Sequence, residues 1–232
     1  MLPRHIWFDV NGAMYRIDAH MGALILDRMY SAIAQATGRR LDQALQKEYD
    51  DHYADLQSHK LVFSKRYELS PDVARGAQAK ANVARHIMRD KQLLGLFRYL
   101  NRRKIPCSIY SNSYSGAIRV ILNRLGLMGA EFTFKHMLTG DTPKYDGIVG
   151  FQRALELSFV SKESAHEVLF VGDREKIDIA PAREAGMSTA LVWVEGLERI
   201  VEERDVSRKS AHFKCPDIYS VKQVVQRLER SG

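Results

Sequence analysis

With 232 residues, 45% of them hydrophobic and 27% charged, the chain has the composition of a folded globular protein and not of a disordered or collagen-like one. No apolar run approaches the roughly 20 residues of a membrane-spanning helix, and residues 1–9 lack the basic stretch and long apolar core of a secretory signal. The net charge of +7 favours anionic partners (phosphorylated metabolites, nucleotides or nucleic acid) without choosing among them.

Two cysteines, Cys107 and Cys215, are too few for a disulfide framework. They read as buried, reduced thiols of a cytoplasmic protein. The densest basic cluster, Arg102-Arg103-Lys104, reads as the solvated end of a helix. Zinc-finger spacing, RNA-recognition aromatics and a basic leucine-zipper pattern are missing, so neither nucleic acid nor a membrane is the expected partner.

In chain order, residues 5–9 read as a short buried strand. Residues from about 17 to 102 read almost wholly as helix. Ile25, Met29, Ala32, Ile33 and Ala36 recur at three- and four-residue steps, with Gly38 as the stop. A second helix runs from about Leu41 to Leu56. Ser70-Pro71-Asp72 opens another, since proline is tolerated in a first turn. Leu93, Leu94, Phe97 and Leu100 mark one more amphipathic helix.

After Lys104 the pattern alternates between strand and helix. Strands are expected over Ile105–Tyr110, Glu131–Met137, Val168–Val171 and Thr189–Val194. Helices are expected from the Ile118, Ile121, Leu122, Leu125 stripe, over Phe151–Leu157 and over Ile179–Ala185. A last helix follows Ser220, which has capping-box spacing to Gln223. Such alternation predicts a Rossmann-like three-layer α/β core with a parallel sheet, residues 1–14 and 103–232, into which residues 15–102 insert a helical cap.

Ligands bind beyond the carboxyl ends of strands in such sheets. Three polar groups stand there: Asp9 after Ile6-Trp7-Phe8, Ser111 after the second strand, and Asp173 after the third apolar run. A strand-end carboxylate can attack phosphorus and form an aspartyl-phosphate. Taken singly, Asp9 is as readily a turn or a helix cap, and Ser111 an ordinary cap.

Four segments in fixed order resemble the four motifs of the haloacid dehalogenase-like (HAD) superfamily: Phe8 to Met14, Ser111-Asn112, Lys144, and Gly172-Asp173 with Asp178 five residues on. The resemblance implies Asp9 as nucleophile. It implies Ser111 and Lys144 on the phosphoryl oxygens, with Gly12 and Asn112 adding phosphate contacts. It implies Mg²⁺ held by Asp9, Asp173, Asp178 and the backbone carbonyl of Asn11. Tyr15, Ser111-Asn112-Ser113-Tyr114 and Ala117-Ile118-Arg119 look like the pyrimidine 5′-nucleotidase branch. In the inserted helices, Tyr49, Tyr53, His52, Lys60 and Phe63 offer aromatic and basic contacts to a nucleobase, or else simply pack those helices.

The chain departs from that pattern in three places. Asn11 stands where the family's acid–base aspartate would be, and an amide cannot shuttle a proton. Ala13 replaces the usual threonine, and Tyr145 rather than proline follows Lys144. Three readings stay open. One is a Mg²⁺-dependent phosphatase of a small phosphorylated metabolite such as a nucleoside monophosphate, slowed by Asn11. The second is a binding or regulatory protein on the same fold. The third, remote, is a 2-haloacid dehalogenase, a branch that lacks the second aspartate but needs no metal. The sequence does not speak to oligomeric state.

Overall fold

The computed structural model describes residues 2–140, 142–203 and 210–230, with Tyr145 described by its backbone alone. It divides into two compact units. The larger comprises residues 1–16 and 88–232, and the smaller Ile17–Ile87.

In the smaller unit the helices are α1 (Ala19–Thr37), α2 (Gln43–Leu56), α3 (His59–Arg66) and α4 (Pro71–Ala81). Each starts at a capping side chain. Asp18, Asp42, Ser58 and Ser70 accept the N–H groups of Met21, Leu45, Leu61 and Asp72, satisfying donors that the first turn leaves open. The cap at Asp42 explains why α2 starts at Gln43 and not at Leu41. The core of this unit joins Ile25, Met29 and Ile33 of α1 to Tyr49, Val62, Phe63 and the small Ala74, Ala77 and Ala81. Those alanines let α4 approach α1 closely.

The larger unit is a seven-stranded sheet with β1 (His5–Phe8), β2 (Cys107–Tyr110), β3 (Met137–Leu138), β4 (Val168–Gly172), β5 (Ser188–Leu191), β6 (Val201–Glu202) and β7 (Phe213–Lys214). The order is β3-β2-β1-β4-β5-β7-β6, parallel throughout except for the antiparallel β6–β7 pair. Helices α5 (Lys91–Arg102), α6 (Ser115–Leu125), α7 (Ile148–Leu157), α8 (Ala180–Glu184) and α9 (Val221–Arg230) flank it. Side chains alternate across a strand, so β1 packs both faces. Trp7 joins Tyr110, Phe151, Phe170 and Ala182 on one side, while the Phe8 ring lies 5.1 Å from Phe97 of α5 on the other. Buried on both faces, β1, β2 and β4 are uninterrupted runs of buried residues.

Several boundaries differ from the sequence pattern. Proline cannot donate to a ladder, and β2 begins after Pro106. The expected strand over Glu131–Met137 shrinks to Met137–Leu138. The alternating Phe132 and Phe134 turn to Phe97, 6.4 and 5.5 Å away, instead of pairing in the sheet. β5 stops at Leu191 because Trp193 adopts a left-handed backbone, φ +61°. Residues 175–185 form a wide π-turn, Glu175–Ile179, before the short α8. The capping box at Ser220 does not form; Ser220 donates its hydroxyl and its N–H to Asp217. α5 groups by contacts with the larger unit, not with the helices before it. Cys107 and Cys215 are both buried and unpaired, and no helix among the described residues is long and apolar enough to cross a membrane.

Buried histidines couple this fold to pH. His5, stacked on Trp7 and hydrogen-bonded to Ser108, is pushed down to about 4 by burial, with His136 and Lys135 adding to the effect. His212, bonded to Thr189, is likewise lowered to about 4 by burial and then Arg183. Between pH 6.5 and 4 the unfolded chain therefore binds protons that the folded chain does not, so stability is full above pH 6.5 and falls as pH drops. The loss should reach about 2–3 kcal/mol for His5 and less for His212, whose greater exposure lets solvent screen it. Urea melts from pH 7 to 4.5 should show this slope, and His5→Phe should flatten it. An unchanged slope in the variant would remove His5 as its source.

Candidate active site

The strand order reverses at β1, with β2 on one side and β4 on the other. The crevice beyond the carboxyl ends of β1 and β4 is therefore the expected binding place in a parallel sheet. Asp9 and Asp173 stand at those two ends, and the Asp9 N–H donates to the Val171 carbonyl at 2.9 Å, tying them together. Asp178 joins them from the π-turn. One oxygen from each of Asp9, Asp173 and Asp178 lies within 4.8 Å of the others.

Glycine permits the close approach. Gly12 has φ +92°, and a Cβ there would come 2.1 Å from Asp173 Oδ2. At Gly172 an added Cβ would lie 2.5 Å from Asp178 Cβ. No side chain fits at either position, so both carboxylates sit directly against backbone.

Lys144 closes the site from below. Its side chain is fully buried, 2.8 Å from Asp9 Oδ1 and 2.5 Å from Asp178 Oδ1. Asn112 fixes it by accepting the Lys144 backbone N–H at 2.7 Å. Asp178 is otherwise fully engaged, its Oδ2 accepting the N–H groups of Asp173 and Arg174 at 3.3 and 3.1 Å. By contrast, both Asp9 oxygens and Asp173 Oδ1 are buried without a well-directed hydrogen bond. Buried oxygens left in that state are costly. Orphaned hard carboxylate oxygens suit Mg²⁺, which prefers oxygen ligands, so the donor set fits that ion.

The electrostatics follow from burial. Burial raises the Asp9 carboxyl above its ordinary range, with Lys144 pulling against it. Asp173 is raised further by burial, opposed chiefly by Arg174. Burial pushes Asp178 up too, but Lys144, Arg174 and their hydrogen bonds outweigh it and hold that carboxyl below its usual value. An added cation would stabilise the charged forms of Asp9 and Asp173.

The neighbouring loop fixes Asn11. Its Nδ2 donates to Ser113 Oγ and its Oδ1 accepts the Tyr15 hydroxyl, both at 2.8 Å. Burial, then Asp9 and Asp173, push the Tyr15 hydroxyl above its ordinary range, so it remains a donor. Ser111 is buried at the end of β2, its Oγ 3.4 Å from the Ser113 N–H. Trp193 adds a brace, donating its indole N–H to the Ala13 carbonyl at 2.8 Å.

Asp9, Lys144, Asp173 and Asp178 thus converge, and Asn11, Gly12, Tyr15, Ser111 and Asn112 surround them. Tyr49 belongs to the other unit. It is wholly buried in the smaller unit, bonded to His59 Nδ1 at 2.5 Å, and Phe63 is buried beside it. Tyr53 stacks on His59 at 4.3 Å. These aromatic groups pack the helices. Sequence reasoning gave no role to Arg174, Ser113 or Trp193. The first two adjoin motif residues, Asp173 and Asn112, and that adjacency was the available signal.

No family model matches the sequence, and no curated protein is a sequence match. Solved structures do match. A HAD phosphatase from Thermococcus onnurineus is 15% identical with a TM-score of 0.62, covering 96% of this chain and 97% of that one. The L-2-haloacid dehalogenase RSc1362 is 16% identical with a TM-score of 0.60, covering 97% and 100%. The HAD-hydrolase YfnB from Bacillus subtilis, bound to magnesium, is 15% identical with a TM-score of 0.58, covering 97% and 100%. At such identities the likeness establishes the fold, a HAD-like Rossmann-type α/β fold.

Lys144→Met should leave Asp9 and Asp178 buried without their main counter-charge. Removing one partner of a buried pair costs about 3–5 kcal/mol. Denaturant melts at pH 7.5 should show a loss of that size, shrinking toward pH 5 as the carboxylates take up protons. A loss below about 1 kcal/mol would mean the pair is no structural keystone.

Proposed function

We propose that this protein is a Mg²⁺-dependent phosphohydrolase of a small phosphomonoester, slow because Asn11 stands in the acid–base position. The observation that carries the reading is Asp9. It is a buried carboxylate at the topological switch point, with one oxygen on Lys144 and the other, Oδ2, held by no hydrogen bond.

Asp9, Asp173, Asp178 and the backbone carbonyl of Asn11 would hold the metal, with Asp178 also orienting Lys144 and the loop after β4. When bound, the ion supplies charge neutralisation for the phosphoryl group. Asp9 Oδ2 attacks phosphorus, and the bond from phosphorus to the leaving oxygen breaks. Lys144 holds Asp9 in place and offsets the negative charge that would otherwise repel an incoming phosphate. The Ser111 hydroxyl, Gly12 and Asn112 line the phosphoryl oxygens. The leaving oxygen takes its proton from water, because the Asn11 amide has none to give. Water then hydrolyses the aspartyl-phosphate, again without a base at position 11. Missing general acid–base catalysis typically costs about 10²–10⁴-fold.

The fixed Asn11 amide favours a second reading, a phosphate-binding protein with little turnover. Tyr15 and Ser113 satisfy both ends of that amide, so the position suits a side chain that orients but does not transfer protons. The substrate class we assign is a small phosphomonoester, a nucleoside monophosphate included.

Phosphate release from p-nitrophenyl phosphate and a panel of nucleoside monophosphates, in Mg²⁺ and in EDTA, decides between them. Asn11→Asp should raise the Mg²⁺-dependent rate by about 10²-fold or more, and Asp9→Asn should abolish it. No release by either the parent chain or Asn11→Asp would leave the binding reading. Chloride release from a 2-haloacid in EDTA would instead point to dehalogenation.

A further inference from the structure

Two cations serve the three carboxylates, and they are held differently. Lys144 is buried and in direct contact with Asp9 and Asp178. Arg174 is 24% exposed and stands farther off. Its Nη2 is 3.8 Å from Asp9 Oδ2, and its Nε is 3.8 Å from both Asp173 Oδ1 and Asp178 Oδ2. One guanidinium therefore spans the same three side chains that lie close enough to share a metal ion. Two of the atoms it faces, Asp9 Oδ2 and Asp173 Oδ1, are among the buried oxygens without hydrogen bonds.

The geometry points to Arg174 as a tethered cation that competes with a divalent metal for the Asp9, Asp173 and Asp178 cluster and so sets its metal affinity. This rests on the Mg²⁺ reading above. The charge count gives the reason. Three ionised carboxylates carry three negative charges, and Lys144 with Arg174 returns two positive ones. A single net negative charge remains, half of what a divalent ion would neutralise. With Arg174 withdrawn, two negative charges remain, matching the ion. Arginine keeps its charge at any working pH, so the competition does not depend on its protonation. At 3.8 Å the guanidinium is beyond ordinary hydrogen-bond distance to these oxygens. Its side chain is partly exposed, whereas Lys144 is fully enclosed.

Competition predicts linked effects on metal affinity and on metal-free stability, because a ligand binding only the folded state raises stability with the logarithm of its affinity. The experiment is isothermal titration of the full chain with MgCl₂ and MnCl₂, paired with thermal melts in EDTA and in Mg²⁺. The chains are the parent, Arg174→Gln, Arg174→Lys and Arg174→Ala. Arg174→Gln should bind either ion about tenfold more tightly or better. It should melt lower than the parent in EDTA and gain more on adding Mg²⁺. Arg174→Lys, which keeps the charge, should stay near the parent. Guanidinium chloride at tens of millimolar should weaken metal binding to Arg174→Ala more than to the parent.

Equal affinities in parent and Arg174→Gln would overturn the competition and leave the metal reading standing. A lower melting temperature in EDTA without tighter binding would also overturn it, making Arg174 a structural residue. Failure of every chain to bind either ion would overturn both the competition and the metal reading, a result distinct from the first two.

Discussion

The ion pair of Lys144 with Asp9 and Asp178 is the constraint around which the rest is arranged. A buried ammonium costs several kcal/mol unless its charge and its hydrogen bonds are met. Here they are met by carboxylates from two places, the end of β1 and the turn after β4. The lysine comes from a third, a loop that Asn112 anchors at the end of β2. The pair can therefore form only when three neighbouring strands are in register. In the same stroke it fixes the orientation of Asp9 and leaves that carboxylate's second oxygen without a hydrogen bond.

The sheet supplies the frame in which this is affordable. A parallel sheet covered on both faces places strand ends, and nothing else, at the rim where polar groups can gather. Because the order turns at β1, the connections leave a crevice between β1 and β4 instead of closing over it. Gly12 and Gly172 then let backbone and carboxylates meet at distances no Cβ would allow. Trp193 reaches across from the end of β5 to hold the loop that follows Asp9. Its left-handed backbone is the local strain that ends the strand and aims the indole.

Asn11 alters what such a frame can do. A carboxylate there could move a proton, whereas the amide can only give and accept hydrogen bonds. It does both, to Ser113 and from Tyr15. The proposed slow turnover and the alternative of tight phosphate binding share this origin. They differ only in whether water can replace the missing group. Arg174 bears on the same balance from the other side, through the charge left for a metal to neutralise.

Much of this was legible in the sequence, for identifiable reasons. Short apolar runs bounded by polar residues marked β1, β2 and β4, and three- and four-residue periodicity marked the helices of both units, because burial on one face leaves a period in the chain. Asp9, Ser111 and Asp173 were visible because each ends an apolar run, and Lys144 by its place in a motif order that resembles the HAD superfamily. Other features had no local signature. Phe132 and Phe134 alternate like a strand but pack on Phe97, and only the position of α5 decides that. Tyr49 looked available on a helix and is enclosed by its neighbours, since exposure depends on what covers a face. The reach of Arg174 over three carboxylates depends on a π-turn that brings Asp178 back toward Asp173. Local pattern along the chain set most of the elements and the chemical groups at their ends, because those depend on near neighbours. Which groups meet, at what distance and with which charges unpaired, was decided by tertiary structure alone, because those depend on residues more than a hundred positions apart, as Asn11 and Ser113 are.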